Sequence, residues 1–268
     1  MHDLTLPQTP SLLAHASEIV RGDASGGANT SHTIEVEALA ALLAEIPKDG
    51  EFVDYQRAAL EGNALSKRTE GARRRTFRYL RELYVLRPDS ILFRALRDLW
   101  PDDPPARPLL AGLCALARDP VFRASSAAII RSAPGETLTA GDLALAVGEH
   151  FPESYSEATL AKIGRNTFSS WEQTGHLRPD EPASKVRVRA TCGSANVAYA
   201  LMLGYLQGAR GEALFDTLWV HVLDQPKSQL FDLAAGASQR GLLEFRYGGG
   251  VVEVSFRELL RPMEGELL

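Results

Sequence analysis

The stretch SEATLAKIGRNTFSSWEQ, Ser156 to Gln173, decides how this chain is read. Leu160, Ile163, Gly164, Thr167, Phe168 and Trp171 recur at three- and four-residue spacing and form one face of a helix. Lys162, Arg165, Asn166 and Ser169 fall on the other, and Ser156 is a capping residue at the start. Upstream, Thr139 caps a helix that reaches Phe151, and Pro152 to Ser156 makes a short turn. Downstream of Gly175, Lys185, Arg187 and Arg189 alternate with Val186 and Val188, which predicts a strand with one basic side. Helix, turn, polar-faced helix and basic strand is the plan of a winged helix-turn-helix, placed over residues 135–192.

Outward from this module the grammar stays helical. Residues 193–268 hold helices at about 194–207, 211–223 and 228–240, then two alternating segments flanking Gly248-Gly-Gly250, a β-hairpin. Residues 34–134 predict a helical bundle: one helix from Ile34 to Ile46, one from Glu51 to Leu60, a long one over 66–86, one from Ser90 to Trp100, and two at 108–118 and 120–131. Pro101 to Pro108 is the clearest loop. Residues 1–33 form an acidic extension with a short helix from Pro10 to Val20, and the composition of 22–33 predicts a flexible connector. The expected fold class is mainly α, a helical bundle with winged helix-turn-helix-like modules and small β-hairpins.

Charge is unevenly spread. The chain has 29 basic and 34 acidic residues, a net charge of −5, which argues against indiscriminate coating of nucleic acid. Residues 1–62 carry three Lys/Arg against ten Asp/Glu. Residues 63–81 reverse this, with Lys67, Arg68, Arg73, Arg74, Arg75, Arg78 and Arg81 against Glu70 alone. A milder excess covers 158–189, with Lys162, Arg165, Arg178, Lys185, Arg187 and Arg189 against three acids. Concentrated cations on an acidic body suit a specific anion-binding surface, and on a helix they neutralise phosphates by releasing counterions. The bland alternatives are a solvated face or pairing with the upstream acids. Three consecutive arginines, 73 to 75, cannot all share one solvent face.

Other chemistry leaves little trace. Cys114 and Cys192 stand 78 positions apart with no C-x-x-C, and both suit buried small hydrophobes. The six histidines form no metal spacing; His221, between Val220 and Val222, reads as a core residue. Phosphate loops, dinucleotide fingerprints and nucleophile elbows are absent, so no catalytic residue, cofactor or metal is expected. Trp171, Tyr79 and Tyr84 continue apolar stripes and read as core. No unbroken apolar run approaches the roughly 20 residues of a membrane span, Ala198 to Leu203 being a typical one, and no basic-led apolar segment opens the chain; a cytoplasmic protein is expected.

Asn63-Ala-Leu-Ser-Lys-Arg-Thr69, followed by Ala72-Arg73-Arg74, resembles the N-x-L-x-K-R-[ST] opening and arginine pair of BrxA proteins, helical components of bacterial BREX phage-defence islands. Ser156 to Thr159, Lys162, Arg165-Asn166 and Trp171 to Leu177 look like that family's second patterned region, and the resemblance spans roughly 55–260. It implies a non-catalytic DNA-binding subunit acting beside a methyltransferase and other defence proteins, with a fold similar to helical antitermination factors of the NusB kind. It also implies that Lys67, Arg68, Arg73 and Arg74 touch the phosphate backbone and that Lys162, Arg165 and Asn166 extend that surface. From the residues themselves, Arg78, Lys185 and Arg187 join the candidates, and Arg165 and Asn166 alone look placed for base edges. Few exposed aromatics favour duplex DNA over single strands. A protein–protein adaptor and a helical RNA-binding protein are the competing expectations.

Overall fold

The structure, a computed structural model, describes residues 20–261. It is mainly helical with two small antiparallel sheets. The helix expected from Pro10 lies outside the described residues. A turn of 3-10 helix at Ala28–Thr30 precedes α1 (Val36–Glu45), α2 (Phe52–Leu60), α3 (Glu70–Tyr84), α4 (Ile91–Leu99), α5 (Arg107–Arg118) and α6 (Pro120–Arg131). Strand β1 (Thr137–Thr139), helices α7 (Ala140–His150) and α8 (Glu157–Gln173), and strands β2 (Leu177–Pro179) and β3 (Ser184–Arg187) follow. The last third holds α9 (Ser194–Leu206), the short α10 (Leu218–His221), α11 (Lys227–Gln239), β4 (Glu244–Gly248) and β5 (Val251–Ser255).

Capping chemistry sets several boundaries. Thr69 Oγ1 accepts from Ala72 N and starts α3, whereas Ser66 has φ of +52° and lies outside the helix. Thr139 caps α7 in a reciprocal box with Asp142, and Ser156 caps α8. Asp103, in the proline-rich loop, accepts from Ala195 N at the start of α9 and pairs with Arg240 at 3.2 Å. That loop also contains a 3-10 turn, Pro104–Ala106, which the prolines did not reveal.

The first sheet has the order β1-β3-β2, with β3 antiparallel to both neighbours; Leu138 faces Lys185, and Arg178 faces Val186. The second is the expected hairpin, with Tyr247 opposite Val252. A single cluster of buried side chains runs from Ala28 through Leu80, Leu113, Trp171 and Tyr199 to Leu243, so the elements on either side of residues 134 and 192 share one core. Trp171 anchors it, with its indole N–H donating to Ser125 Oγ at 2.8 Å and its ring 4.7 Å from that of Phe122. Helices α7 and α8 pack closely because position 164 is glycine: a Cβ there would lie 2.2 Å from Ala140 O.

Residues 22–33 are not the free connector that their composition predicts. Asn29 is fully buried, and its backbone N and Nδ2 donate to Asp119 at 2.8 and 3.0 Å. Asp119 also caps α6 by accepting from Val121 N and Phe122 N. Ser170 Oγ donates to Asn29 Oδ1, and Asn166 Nδ2 donates to Asn29 O. Gly27, with φ of +152°, leaves room for the carboxylate, since a Cβ would sit 2.3 Å from Asp119 Oδ1. Gly27 there serves close packing rather than chain freedom. His221 is a further correction: it is exposed, at the end of α10. No helix among the described residues is long and apolar enough to cross a membrane.

Candidate nucleic-acid interface

Helix α3 buries Thr76, Phe77, Tyr79, Leu80, Leu83 and Tyr84, and this face fixes where its arginines point. At 100° per residue, Arg74, Arg78 and Arg81 fall on one ridge opposite the buried stripe, about 10 Å long at 1.5 Å per residue. All three are exposed, as are Arg68 and Arg75. Arg73 belongs to the inner side: it is half-buried, and its Nε is shielded with no hydrogen-bond partner. The three consecutive arginines are therefore divided, one inward and two outward.

The partners of these cations are few. Arg74 bonds Glu70 through Nε at 2.9 Å and Nη2 at 2.5 Å, one turn apart, and those contacts hold the Glu70 carboxyl below its ordinary value. Lys67 pairs with Glu35 at 3.6 Å. Glu35 is itself held low, first by the His32 ring at 2.9 Å and, against the cost of burial, by Lys67. Arg78 lies over the Tyr79 ring, 5.0 Å from its centroid, and His32 meets the same tyrosine edge-on at 4.3 Å. Arg68, Arg75, Arg78 and Arg81 have no ion pair among the described residues. Of the described acids within 20–62, Glu35 alone pairs with the basic run.

The second patch divides differently. Lys162 and Arg165 are exposed on α8 without ion pairs among the described residues. Asn166 is half-buried with its amide committed to Asn29 O at 3.0 Å. Lys185 and Arg187, expected on an outward basic side, point inward instead. Lys185 Nζ donates to Phe168 O at 3.1 Å, pairs with Glu172 at 2.7 Å and sits 4.0 Å from the Phe168 ring centroid. Arg187 is 2% exposed, bonded to Ile129 O and paired with Asp224 at 2.9 Å, and burial pulls its pKa down. Alternation in β3 correctly separates two faces, but the face that turns inward is the basic one, because carbonyls and carboxylates are waiting there. Segment 28–36 lies between the two patches, touching α3 through Tyr84 Oη on Ile34 O and α8 through Ser170 and Gln173.

Arg75 and Arg81 are the interface residues that the motif-based selection omits. Their signal was present, since both lie in the basic run and Arg81 continues the Arg74–Arg78 ridge. His176 is fully buried between Thr174 Oγ1 and Val222 O, and burial lowers it to about 3, so it stays neutral. Burial pushes both cysteine thiols up to about 12. No group of His, Cys, Asp and Glu able to hold a metal exists among the described residues. The fold and site define a helical scaffold that displays a cationic helix. No family model, curated protein or solved structure matches the chain.

Proposed function

We propose that this chain is a non-catalytic DNA-binding protein that grips duplex through its phosphates, with α3 as the principal contact. The observation that carries the reading is the outward ridge of Arg74, Arg78 and Arg81, joined by Arg68 and Arg75; Glu70 pairs with Arg74, and the other four have no ion pair among the described residues. A ridge about 10 Å long matches a short run of phosphates spaced 3.4 Å along one strand's axis. Guanidinium groups suit such a run because each can donate two parallel bonds to phosphate oxygens. With Asn166 committed to the protein interior, little remains to read base edges, and binding depends on backbone geometry rather than sequence.

The element order β1-α7-α8-β2-β3, with sheet order β1-β3-β2, supports a winged helix-turn-helix reading of residues 135–192. In that reading α8 is the recognition helix and Asp180 to Ala183 the tip of the wing. The tip carries Asp180 and Glu181, both exposed, so the wing repels a phosphate backbone, which shifts the contact toward α3. The BrxA-like motifs at 63–74 and 156–177 support a role as an accessory of a BREX-type phage-defence system, acting in the cytoplasm beside partners such as a methyltransferase.

Fluorescence anisotropy with a labelled random duplex, a single strand and an RNA hairpin across a salt series tests the reading. Duplex affinity should fall linearly in log–log form, with a slope near −0.9 for each phosphate contact. Equal or stronger binding to the hairpin would assign the site to RNA. Flat titrations with all three probes at low salt would refute a nucleic-acid role.

A further inference from the structure

Helices α7 and α8 leave an open groove of about 720 Å³ between them, floored by Ala140, Ala144, Gly148, Leu160 and Ala161. Leu145 lines it too and is 61% exposed, the highest value among the exposed large apolar side chains. One face of the molecule thus carries both a protruding leucine and a slot of small residues able to receive one. Nothing among the described residues covers either.

The charges on this face are arranged in a particular way. Three charged residues line the groove: Glu149, which pairs with Arg131 at 3.4 Å, and Glu157 and Arg165, neither of which has an ion pair among the described residues. Glu157 and Arg165 stand eight positions apart on α8, about 12 Å along its axis. Ala161 lies midway between them. A two-fold axis passing beside Ala161 sets Glu157 of each copy opposite Arg165 of the other. It also carries each Leu145 toward the other copy's slot, and the small side chain at the midpoint lets the two helices approach. This self-complementarity is what an isologous interface requires: one patch that satisfies itself when inverted. Lys162 is not among the lining residues, so its like charge is kept off the axis.

We infer that a second copy of this chain docks on the α7–α8 face, forming a two-fold dimer with Leu145 in the opposing groove and reciprocal Glu157–Arg165 pairs. A partner of another kind would need apolar and charged groups in this same order, which the chain already supplies itself. Helix α3 takes no part in the contact, so each copy keeps its own arginine ridge, while α8, though in the recognition-helix position, gives its Glu157–Arg165 face to the second copy and not to DNA.

The test is the molar mass of the full chain in solution, by sedimentation equilibrium over a series from micromolar to hundreds of micromolar. The wild-type chain should approach twice 29.2 kDa. Leu145→Asp should weaken dimerisation by roughly tenfold or more, as should Glu157→Arg and Arg165→Glu alone. The double variant E157R/R165E should recover the dimer, because the inverted pairs re-form. All three positions are exposed, and Leu145→Ala provides a milder change with circular dichroism as the check on folding. A monomer across the whole series would overturn the inference. So would a dimer indifferent to Leu145→Asp, since another surface would then hold it.

Discussion

Replacing Asp119 with alanine should destabilise the fold by about 3 kcal/mol, and the sum can be built from its bonds. The carboxylate accepts from Val121 N and Phe122 N at 2.9 and 3.0 Å, so its loss removes the cap of α6, worth about 1 kcal/mol. It also accepts from Asn29 N and Nδ2, and Asn29 is fully buried, so two further donors lose their acceptor where water does not reach. Each such orphan costs about 1–3 kcal/mol, and relief of the buried carboxylate's own desolvation offsets part of the total. Equilibrium urea denaturation measures the loss as a lower midpoint with an unchanged slope. Asn29→Ala should overlap with it, so the double variant loses much less than the sum of the singles. Residues 27–33 should also become more readily cleaved by protease, because Asp119 holds Asn29, whose remaining ties are Ser170 and Asn166. A loss under about 1 kcal/mol, or simple additivity with Asn29→Ala, would refute the claim that this carboxylate is the fastening point.

Arg187→Ala should cost about 1–3 kcal/mol, because the buried Ile129 O loses its donor while Asp224, partly exposed, keeps only the longer contact with Arg189 at 3.9 Å; thermal unfolding would detect this, and unchanged stability would contradict the inward role of Arg187. Gly164→Val should destabilise by about 2 kcal/mol or more, since the new side chain meets Ala140 O, and a neutral outcome in the same assay would deny the close approach of α7 and α8. Acid should weaken the Asp98 link. Burial pushes this carboxyl up, but hydrogen bonds from Arg261 at 2.5 Å and Lys48 at 2.7 Å outweigh that and hold it below 3.8. Its contribution is therefore full above 3.8 and lost as pH falls through the lowered folded value, so Asp98→Asn should flatten the acid limb of the stability curve. Asp119 behaves oppositely. Burial raises its pKa despite the four donors, so acidification removes no stability through that group.

Periodicity was enough to place α3 and α8, whose stripes are long and regular, but not residues 211–223, expected as one helix and found as a 3-10 segment at Gly211–Asp216 followed by the short α10. Thr139 and Ser156 marked their helix starts correctly because capping is a local bond between a hydroxyl and an amide three residues on. What composition obscured was tertiary. Residues 22–33 look like a linker by their glycines and serines, yet Asp119, about ninety positions away, turns Asn29 into a core residue. Lys185 and Arg187 look like an exposed basic edge, but Phe168 O, Ile129 O, Glu172 and Asp224 supply partners that no local pattern reveals. Arg73 belongs with them, because its place on the helix wheel sets it beside Phe77 and Leu80. The ridge of Arg74, Arg78 and Arg81 was legible for the converse reason: an exposed face is set by helix period alone.

The central claim is that α3 carries the phosphate contact, and charge reversal of its ridge tests that most directly. Arg74→Glu, Arg78→Glu and Arg81→Glu combined should leave the fold intact, since all three side chains are exposed. Anisotropy of a labelled duplex should show affinity lost at low salt and a log–log salt slope reduced by about 2.7, the value for three phosphates. Undiminished duplex binding with the wild-type slope would contradict the account.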